Sequence, residues 1–212
     1  MFDRGTITTK KSIAVGATAL AVIFAAACGE SDTGTSSATS SVTSSAITSA
    51  EETADHNEAD VMFAQMMLPH HAQAIEMSDM VLGKEGIPEP VITLAEQIKA
   101  AQGPEIEQLE SWLAQWGQPM EAPDDMPGMD HGTEAMEGMM SEEDMQALSD
   151  AEGTEAARLF LAQMIAHHEG AVDMAQTEIE DGQFSDAVEM ARTIVAAQQQ
   201  EIETMRRLLT TL

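Results

Sequence analysis

The 212-residue chain contains no tyrosine, only two tryptophans and five phenylalanines, and a single cysteine. One cysteine cannot close an internal disulfide, so whatever holds the fold together must be its core. Aromatic residues make up 3% of the chain and no segment alternates apolar with polar residues, which removes the usual signals for strands. Basic residues are also scarce. Nine Lys and Arg stand against 37 Asp and Glu, for a formal net charge of −28. A surface of that sign repels nucleic acid and anionic lipid headgroups and concentrates cations. The devices of several enzyme classes are missing too. No glycine-rich loop precedes a helix to cradle phosphate, no serine stands in a nucleophile elbow, and His168-Glu169 lacks the second histidine of a zinc-protease helix. The sole thiol, Cys28, lies next to the N-terminal apolar run and outside any catalytic setting. The sequence therefore points to a protein that is not an enzyme.

Three regions differ in composition. Met1 to Lys11 carries Arg4, Lys10 and Lys11 against Asp3, and Ser12 to Ala27 is an uncharged run of apolar and small residues ending at Cys28. This order predicts a secretory signal over 1–27, since 16 residues are short for a stable membrane span. Cysteine after Ala25-Ala26-Ala27 is similar to a bacterial lipobox and predicts lipidation of Cys28, with Ala25 where such sites usually have leucine. Residues 28–53 are rich in Ser, Thr, Ala and Gly. They lack the large apolar side chains that offset ordering entropy, and predict a flexible tether. Beyond the signal, six basic residues face 36 acidic ones, a net charge of about −30. The expected location is the cell envelope, outside the cytoplasm, with the membrane as partner through the lipid.

The domain, 54–212, is built on a repeat. Phe63, Met67, His70, His71, Ala74 and Met77 recur 97 residues later as Phe160, Met164, His167, His168, Ala171 and Met174. Further on, Gln102, Glu105 and Leu113 match Gln198, Glu201 and Leu209 at an offset of 96, the change in spacing falling in the connection where loops vary. Each half (54–117 and 150–212) then reads as a histidine-bearing helix, a short loop and a Gln/Glu-bearing helix. Helices are expected at 55–83, 89–116, 153–181 and 185–210. Gly83, Gly86 and Pro88 separate the first two. Gly182 follows the third, and Ser185 is expected to accept hydrogen bonds from the amides that open the fourth. In that last helix Val188, Ala191, Ile194, Gln198, Ile202, Met205 and Leu209 form the stripe of a core-facing surface. The predicted fold is all-α: a four-helix bundle of two repeated hairpins. Pro69 and Pro104 sit inside helices without counterparts in the second half, so a kink at Pro69 is expected to tilt His70 and His71 away from equivalence with His167 and His168. The intervening loop, 118–149, is acidic and holds seven methionines around His131, with a short helix expected to open at Ser141.

At 100° per residue, Phe63, Met67, His70, His71, Ala74 and Met77 fall within an arc of about 120°, the apolar face. Both histidines of each motif therefore point toward or beside the core. Thioether sulfur is a soft neutral donor that favours Cu(I), and imidazole suits copper in either oxidation state as well as zinc. A di-iron bundle would need Glu-x-x-His, and no glutamate stands three residues before any of the four paired histidines. The candidate ligands are His70, His71, His167 and His168, with Met67, Met77, Met164 and Met174 as soft co-ligands. Met126, Met129 and His131 form a candidate capture loop. Glu105 and Glu201, with Gln102 and Gln198, are candidates for orienting the imidazoles. The same residues also admit a plainer account, in which core histidines bond to Gln102 or Gln198 and the methionines simply pack.

The pattern Met-x-x-His-His-x-x-Ala-(Ile/Val)-x-Met followed by Gln-x-x-Glu-Ile-Glu, over Phe63–Met77, Gln102–Glu107, Phe160–Met174 and Gln198–Glu203, resembles the DUF305 family. The resemblance covers the domain from about 55 to 212. It implies an exported, ferritin-like four-helix protein, and in some members an association with copper binding or tolerance. At the matched positions it implies ligands at His70, His71, His167, His168 and the flanking methionines. Two functions follow as expectations: a copper-binding envelope lipoprotein that buffers or delivers the ion, or a structural lipoprotein that docks a partner and holds no metal.

Overall fold

The computed structural model describes residues 55–122 and 138–212. Five helices make up this part of the chain: α1 (Glu58–Leu82), α2 (Glu89–Trp116), α3 (Glu142–Asp150), α4 (Gly153–Asp181) and α5 (Ser185–Leu209). No strand occurs among the described residues. The signal, Cys28, Met126, Met129 and His131 lie outside them.

Local chemistry accounts for most of the helix ends. Asn57 accepts hydrogen bonds from the amides of Ala59 (2.8 Å) and Asp60 (3.1 Å), while the Asp60 carboxylate accepts from the Asn57 amide, closing a capping box. Pro90 stands in the first turn of α2, where a missing amide costs nothing. Ser141 caps α3 in a second box with Asp144, and the buried Leu148 ties that helix to the core. The fourth long helix departs from expectation. Ser185 is its first residue and makes no cap. Instead Asp60, from the start of α1, accepts hydrogen bonds from the amides of Gln183 (3.0 Å) and Phe184 (2.9 Å). That carboxylate fixes the turn before α5, and the first amides of the helix itself receive no side-chain cap.

α1 with α2 and α4 with α5 form two hairpins, and the hairpins meet chiefly through α1 on α4, with a smaller contact between α2 and α5. α3 packs on both α1 and α4. The core divides into two clusters. Ala74, Met77 and Val81 of α1 share one with Ala157, Phe160 and Met164 of α4; Phe63, Ala64 and Met67 share the other with Ala171 and Ala175. The end of α1 thus lies beside the start of α4, so the two helices run antiparallel. Each fully buried Leu, Phe or Met contributes about 1.5–3 kcal/mol, which makes this packing, rather than helix propensity, the main source of stability. Both helices containing internal prolines, Pro69 in α1 and Pro104 in α2, continue through them without a break.

Candidate metal centre

The two antiparallel helices bring their histidines together where they cross. The rings of His70 and His167, one from each hairpin, lie with centroids 3.7 Å apart at an interplanar angle of 40°. His168 is further off, its ring centroid 6.4 Å from that of His167. All four histidines are buried. The inner pair is therefore shared between the halves, and the outer pair, His71 and His168, belongs to the separate hairpins.

Each outer histidine is held by a carboxylate of its own hairpin. His71 Nε2 lies 2.9 Å from Glu105 Oε2, and His168 Nε2 lies 2.7 Å from Glu201 Oε2. A carboxylate only accepts, so Nε2 carries the proton. In the neutral ring this leaves the lone pair on Nδ1, which in both residues is buried and has no hydrogen-bond partner. An imidazole fixed through N–H to a carboxylate, with its other nitrogen bare, is the arrangement that orients histidine toward a metal. The two outer histidines find equivalent partners on either side of the repeat, with Pro69 in the first motif only. Gln102 and Gln198 are buried nearby in sequence, each with Oε1 lacking a hydrogen bond.

Burial, and then the neighbouring imidazoles of His70, His168 and His71, holds the pKa of His167 well below the ordinary histidine value, so its ring is neutral. Protonating one member of this cluster would place a charge in a dry site among like neighbours. A neutral ring keeps a lone pair available as a donor.

The methionines divide. Met67 and Met164 are fully buried and stand one turn before His70 and His167 on their own helices, an axial rise of about 4.5 Å. Met77 and Met174 stand seven residues beyond those histidines, a rise of about 10.5 Å in opposite directions. Met77 packs in the cluster of Phe160, and Met174, only partly buried, packs against the cluster of Phe63. Along their helices, Met67 and Met164 thus stand nearer the crossing than Met77 and Met174 do. Among the described residues, no three His, Cys, Asp or Glu side chains gather in a metal-ligating arrangement. An ion at the inner pair would draw on methionine for its remaining ligands, a donor set that fits a soft, low-coordinate cation.

Two antiparallel helices presenting duplicated His-Met motifs at their crossing define a class of helical bundle with a potential soft-metal core. The sequence profile of the family described as "Domain of unknown function (DUF305)" matches residues 60–209, and the chain belongs to that family. A DUF305 fragment from Deinococcus radiodurans is 35% identical, with a TM-score of 0.65 over 74% of this chain and 98% of its own. A DUF305 protein from Streptomyces coelicolor, described as a candidate secreted protein, is 32% identical, with a TM-score of 0.65 over 72% of this chain and 91% of its own. CopM in its Cu(II)-bound form is 31% identical, with a TM-score of 0.60 over 72% of this chain and 96% of its own. CopM structures also exist in Cu(I)-bound, silver-bound and apo forms. No curated protein matches the chain.

Proposed function

We propose that this protein is an exported, non-catalytic copper-binding lipoprotein that buffers or hands on the ion outside the cytoplasm, tethered through a lipid on Cys28. The observation that carries the reading is the meeting of His70 and His167 across the hairpin seam, 3.7 Å between ring centroids. His70 and His167 would bind the ion with Met67 and Met164 as soft co-ligands. His71 and His168, held by Glu105 and Glu201, would flank that site without joining its donor set. The similarity to CopM, solved with Cu(I) and Cu(II), supports copper as the ion. The low pKa of His167 supports binding without proton competition near neutral pH.

Titration of the protein with Cu(I) against a competing chelator tests this. His70→Ala/His167→Ala is expected to weaken binding at least 100-fold, the scale on which loss of ligands is felt, with helix content monitored by circular dichroism. Unchanged affinity in a folded variant would sink the assignment and leave the structural, metal-free reading in its place. A second comparison separates the methionines. Met67→Leu/Met164→Leu is expected to weaken Cu(I) binding about tenfold, whereas Met77→Leu/Met174→Leu should change it less than about twofold, because only the first pair lies within one turn of the rings.

A further inference from the structure

The segment leading into α3 is fastened across the α1–α4 seam beside the histidines. On α1, the Gln73 carboxamide grips the backbone of Met140 twice: Nε2 donates to its carbonyl (2.9 Å) and Oε1 accepts from its amide (2.8 Å). On α4, Gly138 presses against the helix with φ +87°. A Cβ there would lie 2.8 Å from the Ala166 carbonyl oxygen, 2.9 Å from Gly170 Cα and 3.0 Å from the His167 carbonyl oxygen. Gln73 follows His70 by three residues and Gly170 follows His167 by three, so they are equivalent positions of the repeat. They differ because one side binds the strap by hydrogen bonds and the other admits it by having no side chain.

Fastening the strap creates a solvent-open pocket of about 370 Å³ against α1 and α3. Met80 of α1, Met139 and Met140 of the strap and Met145 of α3 line it, together with Glu76 and Glu142. All four methionines are partly buried. Ordinary packing would be served as well by leucine, isoleucine, valine or phenylalanine, and the pocket wall contains none of these. Among the described residues, its only large apolar side chains are thioethers and no basic residue lines it, so two carboxylates set its charge there.

We propose that this pocket is a second metal site, specific for a soft monovalent cation of the Cu(I) or Ag(I) type. Neutral sulfur donors select such ions over harder ones, and the neighbouring carboxylates draw cations toward the site without competing as soft ligands. The site uses none of the histidines, so it stands or falls separately from the buried centre.

Silver nitrate, which is redox-inert in this setting, is the probe. With 13C-methyl-labelled methionine, titrating the full-length chain with Ag(I) should shift the methyl signals of Met80, Met139, Met140 and Met145 together. Met80→Leu/Met139→Leu/Met140→Leu/Met145→Leu should bind one Ag(I) fewer by native mass spectrometry. Met139→Leu/Met140→Leu, confined to the strap, provides the same test if the fourfold variant folds poorly, and should weaken that equivalent at least tenfold. Gln73→Ala, which releases the strap, should weaken it about tenfold while leaving all four sulfurs in place. The four methyl shifts should persist in His70→Ala/His167→Ala. Unmoved methyl signals in the parent, or an unchanged number and affinity of Ag(I) ions in the leucine variants, would overturn the proposal.

Discussion

The two ends of the α1–α4 layer are equivalent by the repeat yet chemically opposite. At one end Val81 and Ala157 are buried among apolar neighbours. At the other, the corresponding positions are Glu178 and Asp60, a glutamate and an aspartate that are just as buried. The apolar end closes by packing, with Lys84 donating to the Ser149 carbonyl at its surface (2.7 Å). The carboxylate end closes by hydrogen bonds, with Asp60 accepting from the amides of Asn57, Gln183 and Phe184 and so tying the start of α1 to the α4–α5 turn. The Glu178 carboxyl lies under Gly182, where a Cβ would collide with it. The contrast shows that duplication fixes where helices run, while the means of closing each end is free to diverge.

This comparison can be broken most severely at Asp60. Asp60→Ala strands three backbone amides, two of them at the α4–α5 turn, and should cost about 3 kcal/mol in urea unfolding. The symmetric change Ala157→Ser, at the apolar end, should be felt through packing alone. A loss below about 1 kcal/mol for Asp60→Ala would show that the turn does not depend on this carboxylate. Next in size is Gly182→Ala, which drives a methyl group into the Glu178 carboxyl. It should destabilise by about 2 kcal/mol, the scale of overpacking, and Glu178→Ala in the same chain should recover only part of the loss, because the Glu178 carbonyl oxygen also lies 2.6 Å from that Cβ.

The most specific effect is the dependence on pH. Burial first, then the hydrogen bond and charge of Asp60, raise the Glu178 pKa from 4.5 to about 8. Between those values the folded protein holds a proton that the unfolded chain releases. The stability from this group is therefore complete below about 4.5 and is lost as pH rises to about 8. The melting temperature of the parent should fall a few degrees further over that interval than that of Glu178→Gln. Parallel curves for the two proteins would remove Glu178 as the cause.

How much of this was legible follows from the kind of interaction involved. Helix spans and hairpin pairing were readable because apolar periodicity and Gly/Pro punctuation are local, and α1 begins at Glu58 rather than 55 because Asn57 takes the cap. The cap expected from Ser185 is absent, and Asp60 fixes the turn before that helix across 123 residues of sequence, which no local pattern announces. Glu178 was invisible for a related reason: it is one carboxylate among 37 acidic residues until the fold buries it. The His-Met arc was readable, but spacing alone placed Met77 and Met174 with the histidines. Only the antiparallel pairing of α1 and α4 reveals that the two point to opposite clusters. α1 runs on through Pro69, and His71 finds the carboxylate equivalent to that of His168. Gln73 carried no signal at all, since its role exists only once the strap lies on it.

The inner histidines have a mechanical meaning beyond coordination. The hairpins touch chiefly through α1 and α4, and His70 and His167 face one another across that contact. An ion held by one ring from each side is a crosslink between the two hairpins. Its binding energy adds directly to the work of prying them apart, and any force or partner that spreads the hairpins loosens the ion. With the proposed site occupied, release of the ion and separation of the halves would be the same event.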